Sequence, residues 1–337
     1  MPPGTDPPSR TAQTTLGRAV DIGPDRPGHP RAEDPMSGDI AVGVKVFSRV
    51  EKLGRLLSSV ESYPIHAVYV ADDGKMTDEK AALYDREFDF DLTVFDLPYD
   101  AGLGHGRAHI VENLSEEYLL VVDSDHELRG DVGVLREQLR ADSDLGGVSG
   151  LLYENGAIVG TCHNLSRNGD VLVRNVAGPK PVESVGGYPF VEFEFIPNAA
   201  MFERDCLEDY CWDPEYVIGK EHLDFYIGHK RRTDWRFGVN PTVLFDHHPG
   251  GTSSYVENRE SYEKLRRSRS YFLEKWDFDR IVLGYTDWED RRYGEPGWND
   301  IGTDLVKKLL LGSPEPVQRS LQRCRDAVRH CRRLPPL

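Results

Sequence analysis

The sequence predicts an α/β fold, with a mostly parallel central sheet flanked by helices and a helical tail at the C-terminus. Three observations predict it. Between residues 39 and 125, four apolar runs rich in Val, Ile and Leu alternate with stretches of helical character. Acidic clusters close the second and fourth runs, where an open parallel sheet places its ligands. Past residue 303 the composition turns from acidic to basic.

Residues 1–36 are rich in Pro, Gly, Thr, Asp and Arg without periodicity, and read as a disordered N-terminal extension; Met36, just before the first strand, is an alternative start. Ile40–Phe47 (IAVGVKVF) reads as a buried strand, Val50–Tyr63 as an amphipathic helix, and His66–Val70 as a second strand running into Ala71-Asp72-Asp73-Gly74. A helix over Met76–Phe88 and a strand over Asp91–Leu97 follow. The glycine-rich turn of Gly102, Gly104 and Gly106 opens a helix to about Leu114, and Glu117–Val122 is a fourth strand ending in Asp123-Ser124-Asp125. Beyond Gly146 the strands are shorter and mixed (VSGLLY, AIVGTCHNL, VLVRNV, then Val191–Pro197), with a loop and helix to Tyr226. Thr242–Phe245 is a short strand ending in Asp246-His247-His248, and 255–276 is helical with a basic run of Lys264, Arg266, Arg267 and Arg269. The expected organisation is a main domain over 37–255, a helical extension over 256–302 and a basic tail over 303–337, without internal repeats.

Composition bounds the function. The 28 Phe and Tyr plus five Trp need burying, so a disordered chain is excluded, and no apolar run approaches the roughly 20 residues that cross a bilayer. With 41 Lys+Arg against 57 Asp+Glu the net charge is -16, which would repel nucleic acid. Asp outnumbers Glu 32 to 25 and Arg outnumbers Lys 30 to 11, the surface of a protein in very salty cytosol, as in a halophilic archaeon. Five cysteines without a CxxC pair, and no signal pattern at the N-terminus, point to a reducing, cytoplasmic setting. The tail holds eight Lys/Arg against three Asp/Glu, while 37–302 holds 29 against 49. Its stripe of Val317, Leu321, Cys324, Val328 and Cys331 makes a basic amphipathic helix suited to an anionic membrane face, where each basic side chain is worth about 1 kcal/mol. Docking on its own acidic body is the plainer alternative.

DxD pairs are cheap in this chain: roughly three are expected by chance from its Asp content, and four occur. Only LLVVDSDHEL directly follows an apolar strand. Asp123 and Asp125 there suit a hard divalent cation carrying a diphosphate. Asp72 and Asp73 can accept hydrogen bonds from a nucleotide base or ribose, with Gly74 allowing a tight turn. GLGHGR matches a dinucleotide fingerprint only superficially, since it follows the third strand; its glycines read as close backbone packing, with Arg107 facing a diphosphate. His105 and His109 read as a helix-surface pair rather than metal ligands. Glu221, His222 and Asp224 are competent general bases, although acids at a helix start also complement its dipole. His247 and His248 offer a further metal ligand or a structural imidazole.

In this order the motifs VADDG, DAGLGHGRA, LLVVDSD, IPNAAMF, WDPEY, GKEHLDF and FDHH resemble the inverting GT-A glycosyltransferases, family-2-like, whose fold is Rossmann-like. The wording of AGLGHGR and EHLDF is most similar to the branch that includes the ganglioside N-acetylgalactosaminyltransferases. The resemblance covers roughly residues 39–250. It implies a nucleotide-sugar donor, direct displacement with inversion, and transfer of a hexosyl or N-acetylhexosaminyl group to a saccharide or lipid-linked saccharide. It further implies that Asp72 or Asp73 holds the nucleoside, with Arg107 and Asp123 at the donor. Asp125, with Asp123 nearby, would bind Mn²⁺ or Mg²⁺, His247 would complete the metal site with His248 as the alternative, and Glu221 would be the base. Many relatives carry Glu-Asp where this chain has Glu221-His222, which keeps His222 and Asp224 open as bases. Two other classes are weighed. A sugar-phosphate nucleotidyltransferase needs a glycine-rich, basic loop after strand one, where this chain has Phe47-Ser48-Arg49-Val50. A non-catalytic glycan-binding module has no need of Asp123, Asp125, Glu221 and His247 together.

Overall fold

Period-two burial sets the layers. In β1 (Ile40–Val46), Ile40, Val42, Val44 and Val46 face one apolar core while Ala41 faces another, and β4 (Tyr118–Asp123) divides Tyr118, Leu120 and Val122 from Leu119 and Val121 in the same way. β2 (Ala67–Asp72) is buried throughout, as a parallel strand covered on both faces must be, and β3 (Asp91–Asp96) is half exposed at the sheet edge. The computed structural model describes residues 39–176, 180–251, 255, 261–283, 316, 317 and 320, all within the unit Gly38–Leu337.

Helix α1 (Val50–Val60) buries Leu53, Leu56, Leu57 and Val60, one stripe at helical spacing. Helix α2 (Asp78–Tyr84) starts at Thr77, whose side chain accepts the Lys80 N–H at 3.2 Å. It is shorter than the expected Met76–Phe88: Phe88 has left the helix to stack on Phe90 at 4.9 Å. Helix α3 (Leu103–Glu112), β5 (His126–Leu128), α4 (Gly133–Ala141), β6 (Leu145–Glu154) and β7 (Ala157–Val159) follow. Next come β8 (Asn164–Asn168), β9 (Val171–Asn175), β10 (Glu183–Val185), β11 (Tyr188–Glu192), β12 (Ala200–Glu203), α5 (Arg204–Asp209) and α6 (Glu221–Arg232). β13 (Arg236–His247), α7 (Tyr262–Trp276) and β14 (Arg280–Leu283) close the described chain.

The main sheet has the order β10-β11-β13-β6-β12-β4-β1-β2-β3, with β5 on β13 and β7 on β6. Pairs β3·β2, β2·β1, β1·β4 and β6·β13 are parallel, and β12 is antiparallel to both β4 and β6, so these six strands point one way around the reversed β12, while β11, β5 and β7 at the periphery also run against them. The expected mostly parallel sheet is therefore present. A second sheet joins β14, β9 and β8. The segment after 255 is not helical alone: it supplies α7, whose Phe272 and Trp276 enter the core, and the strand β14. The N-terminal extension and Met36 lie outside the described residues, as does the basic tail apart from Pro316, Val317 and Ser320. Among the described residues no helix is long and apolar enough to cross a membrane.

The expected short strand Thr242–Phe245 is a twelve-residue strand, β13. Its pairing with β6 shifts register between Val239 and Leu244. There Asn240 Oδ1 accepts both the N–H (2.9 Å) and the hydroxyl (2.7 Å) of Thr242, an internal turn that accommodates Pro241 without ending the strand.

The glycines of the GLGHGR turn act as expected, by close packing. Leu103 and Gly104 N–H groups donate to Val217 and Tyr216 carbonyls at 2.9 and 3.0 Å, and a Cβ on Gly104 would lie 2.1 Å from the Asp213 carbonyl oxygen. Gly54, inside α1, is different, because a Cβ there meets only Leu83 at 3.7 Å. Gly104→Ala is expected to lower the melting temperature sharply, by about 1–3 kcal/mol or more of overpacking. Gly54→Ala should raise it, by about 0.5–1 kcal/mol of helix propensity. Thermal unfolding of the two variants checks the contrast.

His229, in the last turn of α6, sits among Phe225, Phe237 and Tyr210, with ring centroids at 4.5–5.7 Å. Burial pushes its pKa down to about 4, and burial does the same to His126. Both titrate near 6.5 when unfolded, so between pH 6.5 and 4 the unfolded chain binds the extra protons. Stability is expected to be full above pH 6.5 and to fall toward pH 4, by up to about 1.4 kcal/mol per pH unit for each group. Urea unfolding across this range should show a shallower slope in His229→Phe than in the wild type.

Candidate active site

β1, β2 and β4 end side by side, and their last residues form one rim. Lys45 on β1 makes an ion pair with Asp73 at 2.6 Å, and the other Asp73 oxygen accepts the Gly102 N–H at 2.8 Å. Burial lowers the Lys45 pKa despite this carboxylate. Asp72 is also sealed, accepting from Lys80 Nζ at 2.7 Å, the Gly74 N–H at 2.9 Å and the Tyr84 hydroxyl at 2.7 Å. Both aspartates are essentially unexposed. In this arrangement their lone pairs tie β2 to β1, α2 and α3. Gly74 serves by close approach, since a Cβ there would lie 1.6 Å from the Phe47 carbonyl oxygen.

Asp123 is held on both oxygens, by Arg107 Nη2 at 3.0 Å and Asn198 Nδ2 at 3.0 Å. Arg107, buried on α3, also donates from Nη1 to His222 Nε2 at 2.8 Å and lies 3.7 Å from Glu221 Oε1. The guanidinium occupies the Nε2 lone pair, so His222 is a partner of Arg107 in this arrangement rather than a base. Asp224 is fully buried and accepts from Tyr210, Tyr216, Lys275 and Trp276 at 2.7–3.0 Å, so both its oxygens are engaged. Glu221 differs from both: its Oε2 is buried with no hydrogen-bond partner among the described residues. It opens α6 directly after Lys220, a residue in the left-handed region at φ 80°. Such backbone strain persists where the surroundings enforce it.

On the other side of the rim, antiparallel β5·β13 pairing sets His126 opposite His247, and their rings meet edge-on at 5.1 Å. His247 Nδ1 donates to Glu154 Oε2 at 2.8 Å, which leaves Nε2 facing Asp125 Oδ2 at 3.6 Å. Asp125, His126 and His247 form a cluster able to hold a metal ion. The donor set fits one: two bonds of about 2.1–2.2 Å bridge 3.6 Å at an angle of roughly 115°. Burial works to raise the Asp125 pKa, but His247 and Arg49 outweigh it and hold the carboxyl below its usual range. The carboxylate–histidine contact from Glu154 is the usual way to orient such a ligand. His248 is turned to Glu127, 3.0 Å away, and Asp123 is bound to Arg107 and Asn198, so neither expected ligand joins this cluster. His105 and His109 stack at 6.4 Å on α3, apart from it.

Beside the cluster opens a cleft lined among others by Lys45, Arg49, Asp100, Asp123, Ser124 and Tyr255. Several contributors lie outside the residues that the motifs mark as site residues. Lys45 carried a usable signal, a charge inside an otherwise apolar buried strand. His126 and Asn198 lie within the quoted motifs, whereas Arg49, Glu154 and Tyr255 are placed by tertiary packing alone.

Residues 41–209 match the family model described as glycosyl transferase family 2. The chain belongs to glycosyl transferase family 2. With that established, the mostly parallel sheet flanked by helices is the expected GT-A-like fold. The matched segment includes Asp72, Arg107, Asp123 and Asp125, while Glu221 and His247 lie beyond it. No curated protein matches this family 2 chain. Among solved structures it is similar to S. aureus TarS, at 13% identity and a TM-score of 0.44, over 70% of this chain and 40% of that one. For TarS 1-349 the values are 13%, 0.44, 70% and 65%, and for TarS 1-349 in complex with UDP-GlcNAc they are 16%, 0.44, 70% and 66%. The chain thus spans less than two thirds of each of them.

Glu154→Gln keeps the shape of the His247 partner but weakens its grip on the imidazole. It is expected to reduce Mn²⁺ affinity about 10–100-fold while leaving the unfolding midpoint nearly unchanged. Calorimetric titration with Mn²⁺ checks this.

Proposed function

We propose that this family 2 glycosyltransferase is metal-dependent and inverting, and moves a sugar from a nucleotide-sugar donor to a hydroxyl of a saccharide or lipid-linked saccharide. The observation that carries the reading is the approach of Asp125 and His247 to 3.6 Å at the carboxyl end of the sheet, beside a cleft that also receives two cations. Lys45 and Arg49 meet the donor diphosphate from the cleft wall, and Asp73 fixes Lys45 for that task. Asp123, clamped by Arg107 and Asn198, faces the donor as an acceptor of hydrogen bonds. Asp125 and His247 would hold the divalent cation, Mn²⁺ or Mg²⁺, with His126 beside them, and the cation would supply positive charge against the departing diphosphate.

Glu221 Oε2 takes the proton from the acceptor hydroxyl as the oxygen attacks the anomeric carbon from the face opposite the diphosphate, which inverts that centre. Its unpartnered buried oxygen supports this role, because His222 and Asp224 have their lone pairs engaged. The N-acetylhexosaminyl branch is supported by the wording of AGLGHGR and EHLDF. Contact of the basic tail with an anionic membrane, on the cytoplasmic side, is supported by its charge contrast with the rest of the chain. The excess of Asp over Glu and of Arg over Lys supports a high-salt setting.

A thermal-shift screen of nucleotide sugars tests the donor reading. A matching donor is expected to raise the melting temperature only when Mn²⁺ is present, since a ligand that binds the native state stabilises it by mass action. Donor stabilisation that survives chelation would remove the metal from the reading. Glu221→Gln is expected to cut kcat by about 10²–10⁴ while keeping the donor-induced shift, and near-normal turnover would overturn its assignment.

A further inference from the structure

Arg49 stands where strand β1 gives way to helix α1, and it occupies the carboxylate that a cation would need. Its Nη1 contacts Asp125 Oδ2, the oxygen that faces His247 Nε2. Both side chains are nearly excluded from water, at 11% and 7% exposure. On its other face the guanidinium lies 4.4 Å from the centroid of the Tyr255 ring. One turn into α1, Lys52 donates to the carbonyls of His248, Pro249 and Gly250, so the turn that follows β13 is docked against the same helix. Arg49 is therefore set between two walls, inside the cleft it shares with Lys45 and Asp123. Its Nε is buried with no hydrogen-bond partner among the described residues, a donor left over by the Asp125 contact.

A cation bound to Asp125 Oδ2 would lie within a few ångströms of this guanidinium. Two like charges so close in a partly dry site repel strongly, so both cannot remain on one oxygen. A buried carboxylate without a positive partner is also strongly unfavourable, and Arg49 supplies one when the cation is away. We propose that Arg49 and the divalent cation alternate on Asp125: the guanidinium covers the carboxylate in the donor-free protein and transfers to the donor diphosphate as cation and donor enter together. Its planar fork suits two phosphate oxygens at once, and the transfer needs only a side-chain rotation within the cleft. The proposal rests on the metal-dependent reading above. It makes Arg49 a binding residue that keeps the free protein from holding the metal tightly, and that couples metal affinity to the diphosphate.

Titration of the full chain with Mn²⁺, alone and with UDP as the diphosphate probe, tests it without any turnover. In the wild type, UDP is expected to tighten Mn²⁺ binding at least ~10-fold. Arg49→Gln should bind Mn²⁺ at least ~10-fold more tightly than wild type in the absence of UDP, and should bind UDP at least ~10-fold more weakly in its presence. Arg49→Lys, which keeps a charge at this position, should stay close to the wild type for Mn²⁺ alone. If Arg49→Gln does not fold, Arg49→Met makes the same comparison. Tight Mn²⁺ binding by wild type with UDP, but no gain in the Arg49 variants without it, would overturn the alternation and leave the metal-dependent reading standing. Absence of Mn²⁺ binding by the wild type even with UDP would overturn both.

Discussion

The register of one strand pair decides whether this molecule has a site at all. β13 lies antiparallel to β5, with His247 opposite His126, Asp246 opposite Glu127 and Phe245 opposite Leu128. A slip of one residue would send every side chain of this segment to the other face of the sheet and remove the imidazole from Asp125. Three further contacts hold the register. Asp246, on the opposite face from His247, pairs with Arg129 at 2.8 Å; Phe245 is fully buried; and the His248 N–H donates to the Asp125 carbonyl at 2.9 Å. Because β13 also runs parallel to β6, the end of β6 brings Glu154 to the same imidazole. A carboxylate at residue 125 and an imidazole at residue 247 are thus joined by backbone pairing, before any ligand contributes.

A second constraint lies in α6. Glu221 and Asp224 are one turn apart, and the fold assigns them opposite tasks. Asp224 gathers Tyr210, Tyr216, Lys275 and Trp276, which ties α6 to α7 and to the loop before α6. A buried ion pair of this kind is weak evidence of net stability, but breaking one by removing a partner is costly. Its consequence here is positional: with that turn pinned through Asp224, the start of α6 is held against Arg107, and Arg107 is in turn held by Asp123. Glu221, Asp123 and α7 are thereby linked through charged groups that hold one another in place.

The first half of the fold was legible because its strands are uninterrupted aliphatic runs whose ends are marked by acids. Only a third of β13 reads as strand from the sequence, for a local reason. Asn240 and Pro241 look like the end of a strand, and only the tertiary pairing shows that the chain turns internally at Asn240 and resumes. The site was legible in outline for a related reason. Asp125 and His247 each follow an apolar strand, so their position at the sheet's rim could be inferred. Arg49 and Glu154 could not be, since nothing local distinguishes them from surface charges. What places them is the approach of α1 and β6 to residues far along the chain.

Residue type alone does not separate acids with spare lone pairs from those saturated by the fold, and a count of lone pairs does. Asp72 and Asp224 lie near the rim and on α6, yet each has both oxygens engaged by hydrogen-bond donors from its own fold, and Asp73 is closed by the Gly102 N–H and an ion pair with Lys45. Saturated in that way, a carboxylate gains nothing from a ligand that cannot replace those bonds. Asp125 and Glu221 are the exceptions: one shares a single oxygen between an arginine and an imidazole, and the other keeps a buried oxygen without a donor. Leaving such atoms under-satisfied costs folding free energy, and a folded chain recovers it only when a cation or a hydroxyl arrives. In an Asp-rich protein, where acidic pairs are common, that shortfall of donors is what supports the roles proposed for Asp125 and Glu221.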